Sequence, residues 1–487
     1  MKQTSLPQPL SMQERGVDAQ RVHMIGIGGA GMSALARLYL QQGRQVSGSD
    51  EQDSQALRDL AALGATVHLG HDARHLGQAE LVVYSSAVPA DNPELAAAGA
   101  QGRRTLKHAQ ALGELFNTRR GIAVAGTHGK TTTTSMIAFI LERCGRQPAF
   151  QVGGELLDLG TSARWNEGEW MVIEADEFDR RFLEYRPEIA VVTNVEPDHF
   201  EYYGTVAAME AAFGAFLAQV TPEGWIVACG QDARLAELLR ASGRRGIVRY
   251  GIIPEGGAPP AEWGWWASEL RQRPGGTECR VHRRAQSGAP GGEAVLELQL
   301  PGRHHVLNAL AALAVSHLVG VPLEEAVVPL GTFRGTKRRF QLASEAGGVR
   351  IYEDYAHHPT EVRVNLDAAR LLVPAQGRLW AVFQPHLYQR TEALFDEFAR
   401  AFDAADRVLL TDVYSPSGRE PAGHYRGSGE LVGAMDHPSA VHVPDAAAAR
   451  QALRQSLRPG DVVLVMGAGP INALAYQLAD DLQHDVR

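Results

Sequence analysis

The sequence predicts an α/β protein of three domains, and three observations predict it. The chain has 487 residues, which at about 150 residues per domain leaves room for about three cores. Short apolar runs rich in β-branched residues alternate with Ala- and Leu-rich helical stretches along its length, the pattern of parallel strands joined by helical crossovers. Two Gly-containing loops, at 26–31 and 126–132, each follow such a run and open a helical stretch. With 45% hydrophobic and 21% charged residues, the composition is that of a folded globular chain.

Residues 1–20 form a polar leader without the apolar core of a signal peptide, and no apolar run reaches the length of about 18 residues that a membrane span needs. A cytoplasmic protein without membrane insertion is therefore expected. The first domain, 21–118, opens with a strand over Val22–Ile27, a tight turn and a helix. Further strands are expected at Gln45–Gly48, Ala65–Leu69 and Leu81–Tyr84, with a junction at Thr118-Arg119-Arg120. The second domain, 119–333, starts again with a strand at Gly121–Ala125 and a helix whose Met136, Ile137, Ile140 and Leu141 fall on one face. Strands at Trp170–Ile173 and Ile189–Thr193 follow. The Gly-, Ala- and Pro-rich stretch Arg283–Gly292, beside the alternating Ala294–Leu300, predicts a hairpin with a long surface turn, and a helix over Val306–Val319 closes the domain. The third domain, 334–487, begins near Thr336 and carries strands at Val349–Tyr352, Leu379–Phe383, Val408–Thr411 and Val462–Met466.

A formal charge of −9 supplies no basic field for a nucleic-acid backbone or an anionic membrane. Small ligands are expected instead. Cys144, Cys229 and Cys279 lie far apart and form no CxxC pair, against a disulfide framework or a thiolate metal site.

Gly26-Ile27-Gly28-Gly29-Ala30-Gly31 matches G-x-G-x-x-G between strand and helix, with Asp50 ending the next strand. Such a loop brings backbone N–H groups and the positive end of a helix to a diphosphate, making the first domain Rossmann-like. The motif suits NAD, FAD or a nucleotide sugar equally, or a turn needed only for packing. Gly126-Thr127-His128-Gly129-Lys130-Thr131-Thr132 orders strand, loop, Lys, hydroxyl and helix as a phosphate cradle requires, although Val124 stands where a Walker A loop has Gly. In that reading loop amides and Lys130 hold the β- and γ-phosphates and Thr131 ligates Mg²⁺, so the central domain is P-loop ATPase-like. Glu174-Ala175-Asp176-Glu177 and Thr193–His199 each follow a strand, where α/β sheets bind ligands and a metal would meet the γ-phosphate. Spacing does not rank Glu174, Asp176 and Glu177 among themselves. Three later clusters, Gly302–Asn308, Glu353–Glu361 and Gln384–Thr391, follow β-like stretches and offer polar side chains to a cleft. The third domain also reads as doubly wound and Rossmann-like.

In this order GIGGAGM, SSAV with NPE, AGTHGKTTTT, EADE, TNVEPDH, GRHHVLNA, GTKRRF, EDYAHHPTEV, FQPHLYQRT and VMGAGPI run from about Val22 to Ile471. The chain thereby resembles the Mur ligases, nearest to the members that join L-alanine to UDP-N-acetylmuramate. The resemblance implies three substrates, UDP-N-acetylmuramate, ATP and L-alanine, with Mg²⁺, and an acyl phosphate formed when the muramyl carboxylate attacks the γ-phosphate. It also implies a C-terminal domain that closes over both substrates. Alternatives are a peptidoglycan-recycling ligase that adds a tripeptide, a non-catalytic nucleotide-binding regulator and, on the first loop alone, an NAD-dependent oxidoreductase.

Carried over residue by residue, the resemblance implies ATP contacts at Gly126, Thr127, His128, Gly129, Lys130, Thr131, Thr132, His304, Asn308 and Arg339. It implies nucleotide-sugar contacts at Gly28, Gly29, Ala30, Gly31, Met32, Asp50, Ser85, Ser86 and His386, and metal contacts at Thr131, Glu174 and His199. The catalytic set is Lys130, His199, His358 and Arg390. The chain departs from the family twice. GRHN reads GRHH, which puts His305 where an asparagine amide meets adenine, and SDGSFL reads FDRRFL, which brings Phe178, Arg180 and Arg181 near the cleft.

Of 47 basic residues only Lys2, Lys107, Lys130 and Lys337 are lysines. Some ligases of this family hold a second Mg²⁺ on a carbamoylated lysine, a modification that needs an amine able to lose its proton, which arginine is not. With Lys130 committed to phosphate, a second ion must rely on other groups, His199 first. Activity is therefore expected to stay constant in a CO₂-depleted assay; loss of activity restored by bicarbonate would refute this.

Overall fold

The structure, a computed structural model, describes residues 19–273, 275–285, 291–416 and 423–484. Most of the polar leader and the centre of the 283–292 turn lie outside these residues. Three sheets follow one another along the chain. The first has five parallel strands, ordered across the sheet Thr66–Leu69, Gln45–Asp50, Arg21–Ile25, Leu81–Tyr84, Arg104–Lys107. Strand order reverses at Arg21–Ile25, so the crevice of a doubly wound sheet opens between that strand and Leu81–Tyr84. The first strand stops at Ile25, two residues before the expected end, because Gly26 turns the chain with φ +77°.

In the second sheet Arg120–Ala125 is flanked by Trp170–Glu174 on one side and Ile189–Val192 on the other, all parallel. The sheet continues through Trp225–Cys229 and Ile247–Ile252 to three strands that include the antiparallel pair Gly276–Arg283 and Gly292–Leu298. Arg283 faces Gly292 in that pair, so the expected hairpin is present. The helix Lys130–Arg143 differs from expectation: Thr131 to Leu141 are all buried, on every face. It is enclosed by the sheet, the helix Arg303–Leu318 and the helix Leu323–Leu330, and a helix apolar all round belongs inside a core rather than on its surface. The helix Arg303–Leu318 starts three residues earlier than expected, after Gly302 with φ +104°, which places His304 and His305 in its first turn.

The third sheet orders Gln341–Ala346, Val349–Asp354, Val462–Met466, Leu379–Phe383, Arg407–Leu410 and Ala440–His442, parallel except for its first strand. It begins beyond Thr336, whose neighbourhood stays with the second sheet: Lys337 N donates to Glu155 O (2.9 Å) and Thr336 Oγ1 to Ser135 Oγ (2.9 Å). One apolar core runs from the first sheet into the second, joining Leu112, Leu115 and Phe116 to Ile122 and Tyr185, whereas the third sheet has a separate core on each face.

Candidate active site

Because Trp170–Glu174 and Ile189–Val192 both neighbour Arg120–Ala125, their carboxyl ends bring the EADE and TNVEPDH loops to either side of the phosphate-type loop. Gly126 (φ +131°) and Gly129 (φ +78°) make the turn into the helix. A Cβ at Gly129 would lie 2.6 Å from Asn308 Oδ1, so Asn308 sits directly on the loop. Asn194 locks the loop from the other side: its main-chain O accepts from Thr127 N (3.1 Å) and its Oδ1 from His128 N (2.8 Å). Those two amides therefore face Asn194, and the amides free to meet an anion are those of the helix N-terminus at Gly129–Thr132.

Lys130 Nζ donates to Gly126 O (2.6 Å), Thr127 O (3.1 Å) and Glu177 Oε1 (2.9 Å). Burial alone would lower its pKa, but Glu177 and Asp176 outweigh burial and raise it. Thr131 Oγ1 donates to Glu174 Oε1 (3.0 Å), and Arg339 Nη2 to Thr131 Oγ1 (3.1 Å). His199 stands apart from this pair. Its Nε2 lies 3.7 Å from Glu177 and 3.8 Å from Asp198, and it forms with Asp176 and Glu177 a group whose ligand atoms lie within 4.8 Å of one another. The metal residues expected together thus divide into Thr131 with Glu174, and His199 with Asp176 and Glu177.

The third sheet contributes its strand ends. Val349–Asp354 and Leu379–Phe383 flank Val462–Met466, so EDYAHH, QPHLYQR and GAG meet above one edge. Arg390 and Asp198, 192 residues apart, are both buried and joined by Nε donating to Oδ1 at 2.9 Å. Against the cost of burial, Arg390 holds Asp198 well below the usual carboxylate range. His386 Nδ1 lies 3.3 Å from Arg390 Nη1, and its ring packs against those of His357 and Tyr414. His128, expected at phosphate, instead gives its ring to carboxylates: Nδ1 is 3.1 Å from Glu361 and Nε2 3.5 Å from Glu196. These two outweigh burial and raise its pKa to about 9, so at neutral pH a charged imidazole links the second and third domains.

His358, expected in the catalytic set, is not among the residues that line the cavity. Its ring Nδ1 accepts from Thr360 N (3.2 Å), capping the helix Pro359–Arg370, and Nε2 meets Pro197 O at 3.3 Å. Both nitrogens thus have partners, and His357 is the histidine of this pair that lines the cavity. Burial pushes His357 down to about 3, so it is neutral, and its Nδ1 lies 3.0 Å from Tyr355 O. Sequence reasoning also passed over Asp354, which accepts from Phe340 N (2.7 Å) and Ala356 N (2.6 Å) in the cavity wall. Its place at a strand end inside EDYAHH was the available signal.

At the first sheet, Asp50 Oδ2 accepts from Gly28 N at 2.9 Å, which ties the strand-end carboxylate to the glycine loop. Gly29 N donates to Gly26 O (3.2 Å) and Gly31 packs on His108. Ser85 and Ser86 stand across the crevice, with Ser85 Cβ 3.2 Å from the position of a Cβ on Gly26. Met32 points into the core, so any contact it makes with a nucleotide is through its main chain. One cavity of about 820 Å³ joins the three parts, lined by Ala30 from the first, Lys130, Glu174 and His199 from the second, and His304, Arg339, His357 and Arg390 among the rest.

Three family models cover the chain in succession: Mur ligase family, catalytic domain, at 21–120; Mur ligase middle domain at 124–316; and Mur ligase, glutamate ligase domain, at 338–469. The chain belongs to the Mur ligase family. The UDP-N-acetylmuramate–L-alanine ligase of Mycobacterium avium is 42% identical over 96% of both chains, and that of Mycobacterium tuberculosis is 40% identical over 97% of both. Among solved structures, the UDP-N-acetylmuramate–alanine ligase of Thermotoga maritima superposes with a TM-score of 0.77 at 27% identity, covering 96% of this chain and 99% of that one. A murein peptide ligase from Psychrobacter arcticus gives 0.70 at 27% identity, covering 95% and 98%. Mur ligases are ATP-dependent and form amide bonds, so the oxidoreductase alternative falls away.

Both departures from the Mur ligase pattern have structural counterparts. Arg180 occupies the glycine position of SDGSFL and keeps the left-handed backbone glycine would adopt freely, φ +53°, next to Asp179 at φ +55°. His305 is buried in the cavity wall with burial holding it neutral, and neither ring nitrogen has a hydrogen-bond partner among the described residues. Each orphaned nitrogen costs about 1–3 kcal/mol, which a bound base would recover. An asparagine amide can donate and accept as well, so His305→Asn is expected to leave the KM for ATP unchanged or lower. A rise of tenfold would show that the imidazole makes a contact an amide cannot.

Proposed function

We propose that this Mur ligase joins L-alanine to the carboxylate of UDP-N-acetylmuramate at the expense of ATP, in cytoplasmic peptidoglycan precursor synthesis. The observation that carries the reading is the single cavity in which a glycine-loop helix, a phosphate-type loop and the Arg390 cluster share walls. The whole-length similarity to L-alanine ligases supports the choice of amine. No helix among the described residues is long and apolar enough to cross a membrane.

In this reading the loop Gly26–Gly31, Asp50 and Ser85–Ser86 hold the UDP part, while Lys130, the helix N-terminus at Gly129–Thr132 and Arg339 hold the ATP phosphates. Thr131 with Glu174, and Asp176, Glu177 and His199, are the donor sets for Mg²⁺. Hydroxyl and carboxylate oxygens suit that hard ion, and one hydroxyl and three carboxylates, with the His199 imidazole beside them, fit it. Bound there, Mg²⁺ would offset charge on the phosphates. The muramyl carboxylate oxygen forms a bond to the γ-phosphorus as the bond to ADP breaks, giving an acyl phosphate. The amine of L-alanine then forms the amide bond and phosphate leaves. A carboxylate is otherwise a poor electrophile at neutral pH, so phosphorylation supplies the leaving group. Lys130 and Arg339 meet the charge that develops on transferring oxygens. Neutral His357 offers a hydrogen bond to the amine, while Arg390 and His386 face the acyl phosphate.

Phosphate release from ATP with UDP-N-acetylmuramate, testing L-alanine, L-serine, glycine and the tripeptide separately, tests the proposal. Turnover with L-alanine in clear excess supports it. Turnover with tripeptide alone would make the chain a recycling ligase, and none with any amine would leave a nucleotide-binding regulator.

A further inference from the structure

Arg181 belongs by sequence to the second domain but reaches the first. Its Nη2 donates to Ser86 Oγ at 3.0 Å and its Nη1 to Asp176 Oδ2 at 3.2 Å, and its side chain, 30% exposed, lines the cavity together with Ala30. Ser86 lies just beyond the strand Leu81–Tyr84, across the crevice from the glycine loop. The backbone aims the guanidinium there by force. Asp179 and Arg180 are consecutive left-handed residues, closed by Arg180 N donating to Glu177 O (3.0 Å) and Phe182 N to Asp176 O (3.0 Å). Phe182 anchors the segment in the core between Phe213 and Phe216, with ring centroids at 5.4 and 4.9 Å. Strain held in place by packing on both sides is a feature of sites where a side chain must be presented in one direction. His108, the imidazole under Gly31, is pushed down to about 4 by burial and by the charge of Arg181, so the cation at this junction is the guanidinium.

We infer that Arg181 binds the diphosphate of the nucleotide sugar, as a contact from the ATP-binding domain to a ligand carried by its neighbour. The inference rests on the reading of the first domain as a UDP-sugar site. Loop amides and a helix N-terminus supply only about half a positive charge to a multiply charged diphosphate. The guanidinium, with Nη1 on Asp176 and Nη2 on Ser86, adds a charge-assisted donor that phosphate oxygens accept. Ser86, a neutral hydroxyl, is readily exchanged for such an anion. The muramyl carboxylate is the less suitable partner, because in the reading above it reacts at the γ-phosphate held by Lys130, whereas the neutral partner of Arg181 is Ser86, beside the glycine-loop crevice.

The test is calorimetric binding of UDP-N-acetylglucosamine and UDP-N-acetylmuramate to the full-length enzyme and to Arg181→Ser, Arg181→Gln and Arg181→Lys. The first sugar nucleotide has the diphosphate and lacks the carboxylate. Arg181→Ser is expected to weaken both by about tenfold or more, as loss of a charge-assisted hydrogen bond does, and to flatten the salt dependence of binding. Arg181→Gln, which keeps a donor for Ser86, should behave as Arg181→Ser, and Arg181→Lys should recover part of the affinity. Weakening confined to UDP-N-acetylmuramate would assign Arg181 to the carboxylate and overturn the inference. Equal affinities in all variants would overturn it too. A wild-type enzyme that binds neither compound would instead defeat the UDP-sugar reading beneath it.

Discussion

Lys130→Ala is expected to reduce turnover by a factor of about 10² to 10³ or more, the scale seen when a preorganised charged donor to a transferring group is removed, while leaving UDP-N-acetylmuramate binding nearly intact. Lys130 Nζ is held at the mouth of the phosphate-type loop by two carbonyls and Glu177, so phosphate oxygens arriving there replace partners already in place and little reorganisation is needed. The nucleotide-sugar crevice lies on another sheet, and nothing in it touches this amine. Removing the amine also leaves Glu177, 2% exposed, without its cation. Burial already pushes that carboxyl up, so leaving it without the amine is expected to cost stability. Lys130→Ala with Glu177→Gln removes the stranded charge and should regain stability but not turnover. Phosphate-release kinetics and calorimetry with the nucleotide sugar measure the two halves; destroyed sugar-nucleotide binding in the ATP-free variant would contradict the two-site arrangement.

Breaking the Asp198–Arg390 pair is the second large effect. Both side chains are buried and they join different domains, and stranding one member of a buried pair costs about 3–5 kcal/mol. If that cost falls on docking of the third domain, the docking equilibrium constant drops by about two to three and a half orders of magnitude at 1.4 kcal/mol per tenfold. Arg390→Met and Asp198→Asn are each expected to lower kcat by about 10² or more and to raise the KM for the amine. The double variant, which strands no charge, should be less destabilised than the two single effects combined, a coupling that thermal unfolding of all four proteins measures. Single variants within threefold of wild type in both kcat and stability would show that the pair does not hold the domains together.

Much of this was legible in the chain because it is local. A strand, a glycine with positive φ and a helix follow one another within about fifteen residues at both loops, and period and turn chemistry report such units directly. The acidic and histidine clusters were legible for the same reason, as polar residues at strand ends. Helix boundaries and faces were less so. The helix after Lys130 reads as one-sided from its larger apolar residues, yet Thr131–Ser135 are buried as well, because a second helix, distant in sequence, covers the side that would otherwise meet solvent.

The sequence by itself determined the fold class, the two glycine loops between strand and helix, and the chemistry on offer: a lysine, hydroxyls, carboxylates and imidazoles at strand ends. Tertiary structure alone decided which of them act together. Strand order put Trp170–Glu174 and Ile189–Val192 beside Arg120–Ala125, and so paired Glu174 with Thr131 while Glu177 went to Lys130 and His199. It set His357 and not His358 in the cavity wall, since neighbours on extended backbone (His358 φ −117°, ψ 144°) point to opposite sides. It joined Arg390 to Asp198 and Arg181 to Ser86. The physical reason is common to all of these: strand order and domain packing arise from burial summed over hundreds of residues, whereas a motif records only what its own few residues must do.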